Sequence, residues 1–213
     1  MKYAGIIFDL DGVICFTDEL HYRAWKKVAD ERNIPFDRTI NNRLRGVSRM
    51  ASLEIILEKA DRAYSQEEKA AIAEEKNDFY RELLADMSPA DVSDDVRNTL
   101  EALRAAGVKL AIGSSSKNTK YILSRIGLEG FFDAVSDGNN ITRSKPDPEV
   151  FLKAAEYISL EPGRCLVVED AEAGIDAAAA GGFDSAGLGE ASRYAKTTYP
   201  MANFRELLGI EEL

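Results

Sequence analysis

Four short stretches carry side chains suited to a phosphate and its counter-ion, three directly after apolar runs and one just before a helix start. "GIIFDLDG" delivers Asp9 and Asp11 one residue apart, "VKLAIGSSSKN" delivers Ser114 and Ser115, "RSKPDPE" delivers Lys145, and "CLVVEDAEAG" delivers Glu169 and Asp170. One D-x-D alone serves equally well as a helix cap or a turn. Four such ends together contribute acids, hydroxyls and a lysine, and that mixture points to phosphoryl transfer. A hard cation such as Mg2+ takes one or two carboxylates, waters and a phosphate oxygen. A phosphoryl group needs donors around its oxygens, here the Ser114 and Ser115 hydroxyls and amides and the Lys145 ammonium. An aspartate carboxylate can attack such a group once cationic charge relieves the repulsion between two anions.

The elements that must position these groups are legible as alternation. The apolar runs "YAGIIF", "VKLAIGSSS", "DAVSDG", "CLVVED" and "SAGLG" are short and separated by helical periodicity, the pattern of a parallel α/β sheet buried on both faces. Ligands of such sheets bind at the carboxyl ends of the strands, which places Asp9, Ser114 and the Glu169/Asp170 pair on one edge. Between the first strand and the rest, "ELHYRAWKKVADERN", "MASLEIILEKAD" and "SQEEKAAIAEEKNDFYRELLAD" are helical and no strand is evident. The expected fold is therefore a doubly wound, Rossmann-like parallel sheet with an inserted helical cap domain. Residues 1–16 and 88–213 would form the catalytic core and 17–87 the cap, with "MSPADVSDD" supplying the return.

Bulk properties narrow the partners. A chain of 213 residues with 37 acidic and 27 basic side chains has a net charge of −10, which disfavours nucleic acid and leaves small molecules as the expected partners. Two cysteines, Cys15 and Cys165, make no disulfide framework, and Cys165 inside an apolar strand reads as a buried free thiol. With no apolar stretch long enough for a signal peptide or a membrane span, a cytoplasmic monomer is expected.

The four motifs, in this order, resemble the haloacid dehalogenase superfamily of phosphotransferases. By that resemblance Asp9 is the nucleophile that becomes an aspartyl phosphate and Asp11 the general acid/base. Mg2+ would be held by Asp9, the main-chain carbonyl of Asp11 and Asp170, with Glu169 nearby. Ser114, Ser115 and Lys145 would bind the transferring phosphate. Beyond the motifs, "DELHYRAW", "LRGVSR", "EEKND", "MSPADV" and "SSSKN" resemble the β-phosphoglucomutase branch over nearly the whole chain. This implies interconversion of β-D-glucose 1-phosphate and glucose 6-phosphate through β-glucose 1,6-bisphosphate, which also serves as activator.

Such a reaction needs a second phosphate pocket, implied at Arg49, Ser116 and Asn118. A guanidinium grips a phosphate bidentately, for which a hydrolase of small monophosphates has no use. The resemblance also assigns His21 to the cap hinge, Trp25 to the cap beside it, Lys76 to a sugar contact, and Gly46, Val47 and Ser48 to a loop lining the sugar site. Cys15 and Phe16 depart from the branch's polar hinge. The rivals are a sugar-phosphate phosphatase on the same scaffold, a mutase for a larger glycosyl phosphate, and a catalytically idle phosphosugar binder that would not need Asp9 and Asp11 together.

Overall fold

The computed structural model describes residues 2–45 and 47–210. Six parallel strands form one sheet in the order β3-β2-β1-β4-β5-β6: β1 (Gly5–Phe8), β2 (Lys109–Gly113), β3 (Ala134–Ser136), β4 (Cys165–Glu169), β5 (Asp184–Gly187) and β6 (Tyr199–Pro200). Successive side chains of β1 go to opposite layers. Ile6 and Phe8 join one cluster with Leu110, Ile112, Leu166 and Val168, while Ile7 joins another with Ala111 and Val167. Burial on both faces explains why these strands read as unbroken apolar runs. The first layer is completed by α5 (Asp94–Ala105) and α6 (Thr119–Arg125), the second by α7 (Glu149–Tyr157) and α8 (Glu172–Ala180).

Strand order reverses between β1 and β4, which pair in register from Gly5↔Cys165 to Phe8↔Val168. The carboxylates that follow these two strands therefore flank the crevice where such sheets bind ligands.

Among the described residues four α-helices lie between β1 and α5: α1 (Asp18–Asp30), α2 (Arg38–Asn42), α3 (Arg49–Leu57) and α4 (Gln66–Leu84). Their apolar faces make a third cluster of Trp25, Val28, Ala29, Phe36, Leu53, Ile56 and Ile72. Ser65 starts α4 with a reciprocal capping box to Glu68. The buried face of α4 carries Lys76, Asn77 and Tyr80 as well as Leu83 and Leu84, so the last lysine of this charge-rich helix turns inward.

All five expected strands and all three expected cap helices are present. The additions are β6, two residues long with a proline, and α2, five residues started by the Asp37 side chain accepting from the Ile40 amide. Neither is long enough to show a period. Both cysteines are free and buried, and no helix among the described residues is long and apolar enough to cross a membrane.

Candidate active site

A cavity of about 1420 Å³ lies at the carboxyl ends of the strands and is lined from both sides, by Asp9, Asp11, Ser114, Lys145 and Asp170 below and His21, Arg49 and Lys76 above. On the sheet side, the Asp9 amide donates to the Val168 carbonyl at 2.9 Å, so the backbone is still held as a strand where its carboxylate turns toward the cavity. Lys145 Nζ reaches Asp9 Oδ1 at 2.6 Å and Glu169 Oε1 at 2.5 Å. Burial opposes the Lys145 charge, yet these two carboxylates raise its pKa above the ordinary lysine range. Glu169 is fixed in turn, its Oε2 accepting from the Asp170 and Ala171 amides at 2.9 and 3.1 Å.

Negative charge remains in excess. Oxygens of Asp9, Glu169 and Asp170 lie within 4.8 Å of one another. Burial, then Glu169, Asp9 and Asp11, push the Asp170 carboxyl up to about 8, and the cation facing it, Arg45, stands 4.0 Å away. Such a crowded oxygen set suits a hard divalent cation. Glycine is required around it. Gly12 has φ +83°, and a Cβ there would lie 2.1 Å from Asp170 Oδ2. At Gly174 a Cβ would lie 1.9 Å from Glu169 Oε1.

Asp11 is turned to the start of α1, where its Oδ1 accepts from the Thr17 amide at 2.7 Å. Burial raises its carboxyl to about 6 against the effect of that amide, with the Asp9 charge adding to the rise. After β2, Ser114 Oγ accepts from the Ser116 amide and Ser116 Oγ from the Asn118 amide, both at 3.2 Å, which sets the turn leading into α6. The buried Ser115 hydroxyl has no protein partner among the described residues.

The helical side holds cations by different means. Lys76 is 2% exposed, with Nζ 2.8 Å from His21 Nδ1 and over the rings of Trp25 and Tyr80 at 4.9 and 4.3 Å. With Lys76 protonated, Nδ1 is the acceptor and the ring proton of His21 sits on Nε2. Burial, then the neighbouring cationic charge, pushes the pKa of both groups down. His21 also stacks on Tyr80 with centroids 4.1 Å apart. Arg49 donates to Asn77 Oδ1 at 2.7 Å and faces Glu74 at 3.4 Å.

The structure thus brings Asp9, Asp11, Glu169, Asp170, Ser114, Ser115, Lys145, Arg49, Ser116, Asn118, His21, Trp25, Val47, Ser48 and Lys76 onto one cavity. Gly46 lies outside the described residues. Ser48 additionally caps α3, accepting from the Ala51 amide at 3.2 Å, and Trp25 is chiefly a core residue that offers Lys76 a ring face. Phe16, the departure at the hinge, is 75% exposed on the cavity rim. Sequence reasoning missed Asn77, Tyr80 and Lys117, which line the same cavity. The helical spacing from Lys76 to Tyr80 could have suggested one of them; Asn77 and Lys117 lay within the quoted stretches "EEKND" and "SSSKN" without being singled out.

A family model for haloacid dehalogenase-like hydrolases matches residues 3–182. A β-phosphoglucomutase of Bacillus subtilis (strain 168) is 40% identical over 188 residues, covering 87% of this chain and 83% of that protein. A fructose-1-phosphate phosphatase of Escherichia coli (strain K12) is 34% identical over 186 residues, covering 86% and 95%. Among solved structures, a β-phosphoglucomutase from Clostridium difficile superposes with a TM-score of 0.90 at 36% identity, over 96% of this chain and 93% of that one.

Proposed function

The chain belongs to the haloacid dehalogenase-like hydrolase family of enzymes, and on that premise we propose that it is a β-phosphoglucomutase. The observation that supports this reading over a phosphatase is a second cation on the cavity that holds Asp9: Arg49 of α3, joined to Asn118 through Asn77, which we read as a second phosphate pocket. Release of phosphate from a monophosphate needs one phosphate pocket. Transfer between two positions of one sugar needs two.

In this reading residues 1–16 and 88–213 are the core and 17–87 a cap. The Asp9 carboxylate attacks the phosphorus of the phosphoryl donor and the bond to the sugar oxygen breaks, leaving an aspartyl phosphate and a sugar hydroxyl that has taken its proton from Asp11. In the opposite direction Asp11 accepts the proton of the attacking hydroxyl while the Asp9–phosphorus bond breaks. An acid–base group with a pKa near 6 is suited to both directions near neutrality. The phosphoenzyme converts β-glucose 1-phosphate into β-glucose 1,6-bisphosphate. After the bisphosphate reorients, Asp9 takes the phosphate from carbon 1 and leaves glucose 6-phosphate. Asp9, the Asp11 carbonyl and Asp170, with Glu169 beside them, would hold Mg2+, which supplies positive charge to the transferring oxygens. Ser114, Ser115 and Lys145 would bind those oxygens, and Arg49, Ser116 and Asn118 the other phosphate. Lys76 and the loop of Val47 and Ser48 would meet the sugar, His21 would sit at the cap hinge, and closure of the cap would keep water from the aspartyl phosphate. A monomeric, cytoplasmic enzyme of sugar-phosphate metabolism fits this reading.

The test supplies protein, Mg2+, β-glucose 1-phosphate and a trace of β-glucose 1,6-bisphosphate, and follows glucose 6-phosphate and free phosphate together. Bisphosphate-dependent glucose 6-phosphate with little phosphate release is expected. Phosphate release without isomerisation would make the enzyme a phosphatase, and no turnover of glucose phosphates would move the search to larger glycosyl phosphates.

A further inference from the structure

Asn77 lies on the buried face of α4 with 9% of its surface exposed. Its Oδ1 accepts twice, from Arg49 Nη2 at 2.7 Å and from Asn118 Nδ2 at 2.9 Å. Arg81 Nη1, one turn further along α4, donates to Asn118 Oδ1 at 3.2 Å. One carbonyl oxygen therefore joins the helical side to the loop after β2. The carboxylate nearest Arg49, Glu74 at 3.4 Å, is itself 66% exposed, so water screens it. The well-buried partner of the guanidinium is a neutral amide.

That choice of partner has a consequence. A carboxylate at this point would hold Arg49 more strongly, but it would cancel the charge that attracts a phosphate dianion. An amide oxygen fixes the guanidinium's direction and leaves its charge for the ligand. We infer that Asn77 is a positioning residue of the distal phosphate pocket, aligning Arg49 and Asn118 across the two lobes with an acceptor whose neutrality is required for anion binding. This rests on reading Arg49 and Asn118 as that pocket. A mere staple between lobes would be served as well or better by aspartate, which keeps the shape and both accepted hydrogen bonds.

The experiment uses the Asp9→Asn protein, which cannot form the phosphoenzyme, and titrates it calorimetrically with glucose 1,6-bisphosphate in Mg2+. Adding Asn77→Ala is expected to raise Kd roughly threefold to tenfold through loss of the aligning bonds. Adding Asn77→Asp is expected to raise it by more than tenfold, with the gap between the two variants narrowing at high salt. A Kd for Asn77→Asp equal to or tighter than that for Asn77→Ala, in proteins with matching urea midpoints, overturns the inference. So does failure of the Asp9→Asn parent to bind the bisphosphate. Because no turnover is read, the outcome is separable from the proposed function: a wild-type enzyme that releases phosphate without isomerising would remove the mutase reading and leave this binding comparison standing.

Discussion

The two sides of the cavity handle charge in opposite ways. On the sheet side Asp9, Glu169 and Asp170 crowd together, and one buried ammonium, Lys145, is shared between two of them. On the helical side the cations Lys76 and Arg49 are held by an imidazole nitrogen, two aromatic faces and an amide oxygen. The first arrangement is a centre of surplus negative charge that binds an anion only with further cationic help. The second is a centre of positive charge kept available. A molecule with phosphates at both ends meets complementary demands, chemistry at one end and grip at the other.

The largest expected effects are on the sheet side. Asp9→Asn should abolish both mutase turnover and phosphoenzyme formation, since a neutral amide replaces the nucleophilic carboxylate. Asp11→Asn should lower mutase turnover by roughly 10²–10⁴-fold, the usual contribution of a positioned acid–base group. Near-normal turnover in that variant, measured by the coupled assay, would place the proton transfer elsewhere. Next comes Lys145→Met, which keeps the length and removes the charge. It leaves the buried carboxylates without their shared cation, and stability in urea should fall by about 3–5 kcal/mol. A midpoint within experimental error of wild type would mean that the carboxylates are neutralised by protonation and that the charge surplus described above is not real.

On the helical side a smaller and more selective loss is expected. Arg49→Ala should strongly reduce mutase turnover while leaving phosphoenzyme formation from acetyl phosphate close to wild type, because that small donor has no second phosphate. Equal losses in both assays would show that the two sides do not divide chemistry from grip.

The same contrast explains what could be read from sequence. Asp9, Ser114 and Glu169 each follow an apolar run directly, so a strand's length and a parallel sheet's one reactive edge locate them before any fold is known. Lys145 depends on a loop, yet its place just before a helix start marked it. The helical side offers no such rule. Lys76 and Arg49 lie in stretches rich in charged residues, and it was chiefly the resemblance to a known branch that singled them out. Asn77 meets Asn118 across 41 residues of sequence, a pairing decided by how α4 lies over the loop after β2 and by no local pattern.

The smallest expected effect concerns how the sheet side holds its lysine. Glu149, at the start of α7, accepts at Oε2 from the Thr142 amide at 3.0 Å, the Thr142 hydroxyl at 2.9 Å and the Arg143 amide at 2.8 Å, closing the loop that carries Lys145. The Arg143 amide, with the Thr142 groups and Lys153, draws the Glu149 carboxyl down to about 2. A carboxyl lowered in the folded state stabilises fully above its unfolded pKa, about 4.3, and that stability is lost as pH falls through the folded value. Glu149→Gln should therefore lower the thermal midpoint by a few degrees at pH 7, and its difference from wild type should shrink steadily from about pH 4.5 toward pH 2. A difference that stayed constant over that window would mean that the carboxylate's charge does not hold the Lys145 loop, and the loop would then be held by packing.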